Sequence, residues 1–149
     1  FQFAHVDDLS QVSIETAMKE ISGIFNIGTD RYTNLKNDLE LFLKEIQSDA
    51  KIVSLNKPLV INILKILDKV NLSPLSAWHY MSYGWDFFYD LERANKVLDW
   101  RPKYSNVEML VESYYDYKKN KHNKYYFNSP HRKKVKQRSL QIAKYFFKK

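Results

Sequence analysis

The chain contains no cysteine, only three glycines in 149 residues, and no apolar run long enough to cross a membrane. The absence of cysteine excludes disulfides and thiolate metal sites, and it fits a reducing compartment, so we expect a cytoplasmic protein. The three glycines, at positions 23, 28 and 84, cannot form a glycine-rich turn that holds nucleotide phosphates. The longest apolar stretch, residues 59–67, is interrupted by Asn62 and Lys65 and falls short of the roughly 18 residues of a membrane span.

Charge is divided unevenly along the chain. Residues 1–117 carry a net charge of −5, whereas residues 118–149 contain 12 Lys or Arg and no acid. Hydrophobic residues make up 44% of the chain and aromatic residues 15%, which favours a folded protein. We therefore predict a folded body, residues 1–117, and a basic tail, residues 118–149.

The segment 88–102 carries the most specific pattern in the chain. Asp90 follows a short aromatic run and is placed to accept hydrogen bonds from the first N–H groups of a helix. Trp100 is then expected to turn into the core, and Pro102 prevents the helix from resuming. The apolar residues of this helix recur at helical spacing, namely Leu91, Ala94, Val97 and Leu98.

This segment resembles the closing motif of the extended short-chain dehydrogenase/reductases, the sugar-nucleotide epimerases and dehydratases, which reads roughly D-x-x-K-A-x-x-x-L-G-W-x-P. Arg93 replaces the lysine of that motif, and Asp99 replaces its glycine at a left-handed position that tolerates Asp better than most residues. Residues 1–20 resemble the H-V-x-D-L segment of the family, residues 22–46 its G-x-Y-N-I-G unit, and residues 105–117 its last helix. The resemblance follows the family order and covers the whole body.

The resemblance implies an α/β fold, the C-terminal portion of an extended short-chain dehydrogenase that lacks the glycine-rich first half of its Rossmann sheet. The sequence itself predicts short strands at 2–6, 24–27 and 51–55, each followed by an amphipathic helix. The run FQFAHV is typical of the middle of a strand, and we therefore expect the sequence to have been cut at Phe1 from a longer protein. The predicted helix starts are Asp7 or Asp8, Thr33 or Asn34, Pro58, and a capping box of Ser105 with Glu108.

The chemistry of the family uses a Tyr-x-x-x-Lys pair on one helix face, where the lysine lowers the pKa of the tyrosine so that the phenolate acts as a base. This spacing occurs at Tyr114/Lys118 and Tyr115/Lys119. Both pairs fall in the last helix of the body, whereas the catalytic pair of the family belongs to sequence before residue 1. We therefore expect these four residues to be structural or solvent-facing.

His5 and Asp8 suggest an acid–base pair, but in the resembling segment the more economical roles are a packed histidine and a helix-capping aspartate. The four histidines of the chain do not suggest a metal site. We therefore predict that this chain contains no catalytic residue, no cofactor-binding residue and no metal ligand.

Aromatic and polar residues between 78 and 86 are the leading candidates for contact with a substrate. They occupy the place where related epimerases carry an Arg-x-x-Asp element that holds the nucleotide diphosphate. Asp86 matches the aspartate, but Tyr83 stands nearest the arginine position, which leaves room for a substrate other than an ordinary UDP-sugar. An aromatic lid over the core is an equally good interpretation. The candidates are Trp78, His79, Tyr80, Tyr83, Trp85 and Asp86.

The basic tail admits three interpretations. Residues 133–147 form an amphipathic pattern, and we expect a helix packed on the acidic body, because its apolar positions keep helical spacing. An anionic membrane surface is the second interpretation, since Lys and Arg flank Leu140, Phe146 and Phe147. Nucleic acid is the third, because the aromatic residues at 125–127 lie among Lys and Arg.

The sequence thus predicts the substrate-binding C-terminal portion of an NAD(P)-dependent sugar-nucleotide epimerase/dehydratase-like enzyme, inactive alone. The resemblance implies transient oxidation of the sugar, the chemistry of an isomerase or oxidoreductase. NAD or NADP would be bound by a missing N-terminal dinucleotide-binding half, and the other expected partners are a nucleotide-sugar-like substrate and a second copy in a homodimer. The competing hypothesis, which we rank lower, is a non-enzymatic basic module that binds anionic membrane or nucleic acid through residues 118–149.

Overall fold

The computed structural model describes residues 1–70, 77–82 and 85–120 of the chain. Within these ranges the backbone forms helices and no strand, so the expected α/β fold with part of a Rossmann sheet is wrong. The predicted helix at 133–147 lies outside the described residues. The helices are α1 (Val6–Met18), α2 (Leu35–Glu45), α3 (Lys57–Lys69), α4 (Ala77–Ser82), α5 (Glu92–Leu98) and α6 (Asn106–Asn120).

The chain divides into two compact units. The first unit consists of Phe1–Ile52 together with Asp86–Lys119, and it contains α1, α2, α5 and nearly all of α6. The second unit contains α3 and α4. Its described residues are 53–70, 77–82, 85 and 120.

Side chains take the place of a strand ladder in the first unit. The amide of Asn106 accepts from the Phe3 N–H (3.0 Å) and donates to the Phe1 carbonyl (2.8 Å), so both backbone groups are satisfied without a neighbouring strand. A backbone bond from the Thr29 N–H to the Phe3 carbonyl (2.8 Å) joins the first segment predicted as a strand, 2–6, to a residue just beyond the second, 24–27. Residues 2–5 and 24–27 form no regular element, Val6 already belongs to α1, and the third predicted strand, 51–55, is also irregular.

His5, and not Asp7 or Asp8, caps α1. Its Nδ1 accepts from the Asp7 N–H (3.2 Å), so the ring proton lies on Nε2, which donates to the Glu112 carboxylate (3.0 Å). Asp8 is buried and instead accepts from the Lys103 N–H (3.1 Å), which ties the segment after α5 to α1. Both side chains therefore have structural roles, and the predicted cap at Asp7 or Asp8 is wrong.

The segment 88–102 forms the centre of the main apolar cluster. Trp100 is 4% exposed and packs with Ala94 and Leu98 of α5 and with Val12 of α1. Asp99 adopts the left-handed conformation at the C-cap of α5 (φ 50°), as its place in the motif predicts. Val97 was expected on the apolar stripe but is 51% exposed, because α5 presents to the core the face that carries Ala94 and Leu98.

Short-range caps fix the remaining helix starts of the first unit. Asn34 caps α2 by accepting from the Asn37 N–H (2.9 Å), which confirms one of the two predicted residues. The predicted capping box is also confirmed, since Glu108 accepts from the Ser105 N–H (2.7 Å) and donates its own N–H to Ser105 Oγ (3.2 Å). The helix that follows runs to Asn120, three residues beyond its predicted end.

The capping box should make stability depend on pH. Its two hydrogen bonds to Ser105, and the nearby Arg31 guanidinium, lower the pKa of Glu108 from its ordinary value of 4.5. The lowered pKa means that the stabilisation is present above pH 4.5 and is lost as the pH falls through the pKa of the folded state. We expect Glu108→Gln to lower the Tm by roughly 2–4 °C at neutral pH and to have almost no effect near pH 3.

Circular dichroism melts at both pH values test this expectation. Asp49→Asn is the matched control, because Asp49 is an exposed acid of the same unit that makes no hydrogen bond or ion pair within the described residues. A Glu108→Gln effect of equal size at the two pH values would contradict the assigned role of the carboxylate.

Candidate functional site

A cleft of about 330 Å³ opens in the first unit, next to the segment that precedes α5. Aromatic rings and polar side chains form most of its wall, and one leucine contributes apolar surface. The lining residues are Gln2, Asp30, Tyr32, Tyr89, Asp90, Leu91, Glu92 and Asn95.

The amide of Gln2 holds the two sides of this cleft together. Its Nε2 donates to the Thr29 carbonyl (2.7 Å), and its Oε1 accepts from the Tyr89 N–H (2.6 Å). Asp90 accepts from the Glu92 N–H (2.8 Å), which fixes the chain where it enters α5. Hydrogen bonds thus hold together segments that are distant in sequence. Other polar groups of the wall do not take part in these bonds.

Several polar groups in the cleft wall have no partner within the described residues. The carboxylate of Asp30 and the phenol groups of Tyr32 and Tyr89 make no hydrogen bond there, although all three lie in the lining. Asn95 Oδ1 is buried and likewise has no donor in the described part of the chain. A buried acceptor without a donor is uncommon, and a bound ligand with hydroxyl groups would supply donors.

The charge of the lining favours a ligand that carries no phosphate at this position. Three carboxylates, from Asp30, Asp90 and Glu92, line the cleft, and no lysine, arginine or histidine does. Lys96 pairs with Glu92 from outside the lining, and its pKa is raised, chiefly by that hydrogen bond, so the lysine remains charged. The cleft therefore combines hydrogen-bond acceptors with aromatic surface, a combination that suits a neutral, hydroxyl-rich molecule.

The candidates from the sequence that belong to the second unit do not form one polar cluster. Trp78 is exposed, and its ring meets that of His79 edge to face at 5.4 Å. Trp85 is also exposed and carries Lys57 Nζ over its ring at 4.0 Å from the centroid. These contacts are compatible with an aromatic surface as well as with a ligand site.

Tyr80 is the candidate with the most defined surroundings. It is buried, and its hydroxyl donates to Asp68 Oδ2 of α3 at 3.3 Å. Burial, followed by the negative charge of Asp68 and the hydrogen bond to it, raises the pKa of the phenol, which therefore stays protonated. Asp86 is exposed and belongs to the first unit, and Tyr83 lies outside the described residues.

The residues of the cleft were missed by sequence reasoning, apart from Asp90 in its capping role. A usable signal existed, since Asp30 and Tyr32 follow one short apolar segment and Tyr89 directly precedes the closing motif. Gln2 gave no such signal, because its importance depends on partners 27 and 87 residues away.

The residues of the first Tyr-x-x-x-Lys pair make structural contacts. Tyr114 packs edge to face against Phe42 of α2, with ring centroids 6.0 Å apart, and Lys118 Nζ lies 6.0 Å from the Tyr114 ring centroid. Tyr115 is exposed. Within the described ranges, no group of three His, Asp or Glu is arranged to hold a metal ion, and no helix combines the length and apolarity needed to cross a membrane.

Comparison with known proteins gives one relative of undetermined function. The chain is 28% identical over 121 residues to the uncharacterized protein y4nG of Sinorhizobium fredii (strain NBRC 101917 / NGR234), a match that covers 81% of this chain and 31% of that protein. The chain thus spans less than a third of the length of this relative. No family model and no solved structure matches. The expectation of a Rossmann-like oxidoreductase has no support from these comparisons, and the helical backbone of the described residues contradicts it.

Proposed function

We propose that this chain is the substrate-binding part of a longer sugar-nucleotide enzyme of the epimerase/dehydratase type, and that the cleft of the first unit holds the sugar. The single observation that carries the proposal is the lining of that cleft, in which hydroxyl, carboxylate and amide groups without a partner in the described residues border an open space, and no lysine, arginine or histidine lines it.

The size and chemistry of the cleft match one sugar ring better than a whole nucleotide-sugar. Its volume of about 330 Å³ is at the lower end of the range for ligand pockets, about 300–1,000 Å³. The Asp30 carboxylate and the tyrosine hydroxyls can accept hydrogen bonds from sugar hydroxyls, while the tyrosine rings provide apolar surface for the sugar C–H groups. The diphosphate would have to lie outside this acidic lining.

The order of the sequence motifs and the length of the relative support the wider part of the proposal. The closing motif retains its left-handed Asp99 and buried Trp100, and the relative is more than three times as long as the matched segment. In this proposal, the remainder of a longer protein binds NAD or NADP, and this chain has no activity alone.

Ligand-observed NMR with the full chain tests the proposal. We expect at least one of UDP-glucose, dTDP-glucose and GDP-mannose to bind with a Kd on the order of 1 mM, the affinity typical of a ring-sized contact of about −4 kcal/mol. Saturation should transfer most strongly to the sugar protons, and UDP, dTDP and GDP without sugar should bind at least tenfold more weakly. NADH should show no saturable binding.

Two variants assign the binding to the cleft. Asp30→Ala removes a carboxylate of the lining and should weaken binding about tenfold, equivalent to about 1.4 kcal/mol. Asp49→Ala removes an exposed carboxylate of the same unit that does not line the cleft, and it should change nothing. The proposal fails if none of the three nucleotide-sugars binds, if the sugar-free nucleotides bind equally well, or if the two variants behave alike.

A further inference from the structure

Helix α3 of the second unit has apolar residues on two faces, and within the described residues α4 packs against only one of them. The residues that face α4 are half-buried, and Asp68 on this side accepts the hydrogen bond from Tyr80. A second side carries residues spaced by four, three and four positions, which places them in one stripe that ends at the C-cap residue Val70. The exposed fractions in this stripe are Leu59 59%, Ile63 48%, Ile66 64% and Val70 56%.

A basic edge runs beside this stripe. Lys65 and Lys69 lie one turn apart on α3 and form no ion pair within the described residues. Together with Asn62 and Ile66 they border a cleft of about 550 Å³ that extends to Tyr80 and Asp68. The hydrogen bond from Tyr80 turns Asp68 Oδ2 toward the phenol but leaves the carboxylate charged, so two ammonium groups face one carboxylate and this side of the stripe keeps a net positive charge.

We propose that α3 docks on an anionic phospholipid surface, with the exposed stripe among the acyl chains and the lysines against headgroup phosphates. The helix has 13 residues, too few to span a bilayer, and an apolar stripe beside lysines is typical of helices that lie in the membrane interface. The basic edge complements anionic headgroups, which is why we choose a lipid surface over a protein partner. The residues of this surface belong to the second unit, and none of them lines the sugar cleft or belongs to the basic tail, for which the sequence raised membrane binding.

Co-sedimentation of the full chain with phosphatidylcholine vesicles, with and without phosphatidylserine, tests this inference. We expect binding to the anionic vesicles and at least tenfold weaker binding to the neutral ones. Ile63→Gln combined with Ile66→Gln should reduce partitioning into anionic vesicles at least tenfold, and Lys65→Gln combined with Lys69→Gln should reduce it by a similar factor, at about fivefold per lysine. All four side chains are exposed, so these variants should fold normally, which circular dichroism checks.

Matched changes on α2 provide the control. Leu41→Gln combined with Lys44→Gln alters an exposed leucine and an exposed lysine of the first unit and should leave vesicle binding within twofold of the unchanged chain. The inference is wrong if the α3 variants bind as well as the control variant, which would assign binding to another segment. It is also wrong if inorganic phosphate competes fully with the vesicles, since that result would identify a site for soluble phosphate.

Discussion

Replacing Asn106 with leucine is expected to lower the free energy of unfolding of the first unit by about 3–5 kcal/mol. Asn106 is fully buried, and its amide meets Asp38 Oδ2 (2.7 Å) as well as the backbone of Phe1 and Phe3. Leucine has a similar volume but satisfies none of these groups, so a buried carboxylate and two backbone groups would each lose a partner. The loss of stability arises more from the buried groups left without a hydrogen-bond partner than from removal of the asparagine side chain itself.

Asn106→Asp tests the hydrogen bonds separately from packing, because it preserves the shape of the side chain. It removes both amide donors and brings a second carboxylate to the position that now donates to Asp38, so we expect a loss at least as large as that of leucine near neutral pH. Urea denaturation followed by circular dichroism measures both variants. Asn37→Leu, on the exposed side of α2, is the control and should stay within about 0.5 kcal/mol of the unchanged chain. A loss below about 1 kcal/mol for Asn106→Leu would mean that solvent replaces the lost bonds.

Features that depend on a few neighbouring residues could be predicted from the sequence. The Ser105–Glu108 capping box, the Asn34 cap and the left-handed Asp99 each involve groups within three positions of one another, and all three were predicted. Pro58 also lies in the first turn of α3, as expected. Local hydrogen-bond geometry determines these features, so they do not depend on how the rest of the chain folds.

The strand predictions were wrong because an alternation of apolar residues predicts an extended backbone but does not specify a neighbouring strand that would pair with it. The Phe3 N–H, in the first predicted strand, donates to Asn106, which lies 103 residues further along the chain. The cleft could not be predicted for the same reason, since Gln2 accepts a hydrogen bond from Tyr89, which lies 87 residues away in the sequence. A hydrogen bond between such distant residues leaves no periodic pattern in the sequence, and both the fold class and the site depended on bonds of this kind.

Trp100→Ala is the second substitution with a large expected effect, about 3–5 kcal/mol in the free energy of unfolding. The indole lies at the centre of the apolar cluster with Ala94 and Leu98, and Ile21, Phe25 and Ile27 pack against that cluster. Truncation would leave a cavity that these side chains, anchored on separate segments, cannot fill by small movements. Trp78→Ala, which removes an exposed indole of the second unit, should cost less than about 1 kcal/mol.

Trp100→Phe separates packing from hydrogen bonding at this position. The indole Nε1 is buried without an acceptor in the described part of the chain, so the tryptophan itself carries the cost of an unsatisfied donor. Phenylalanine loses part of the packing but also removes that donor, and we therefore expect a loss of only about 1–2 kcal/mol. Urea titration of the three variants under one condition checks the order Ala, then Phe, then the exposed Trp78 control. If Trp100→Phe were as harmful as Trp100→Ala, the indole N–H would have an acceptor in the folded protein, and the closing motif would be held by that bond as well as by its apolar contacts.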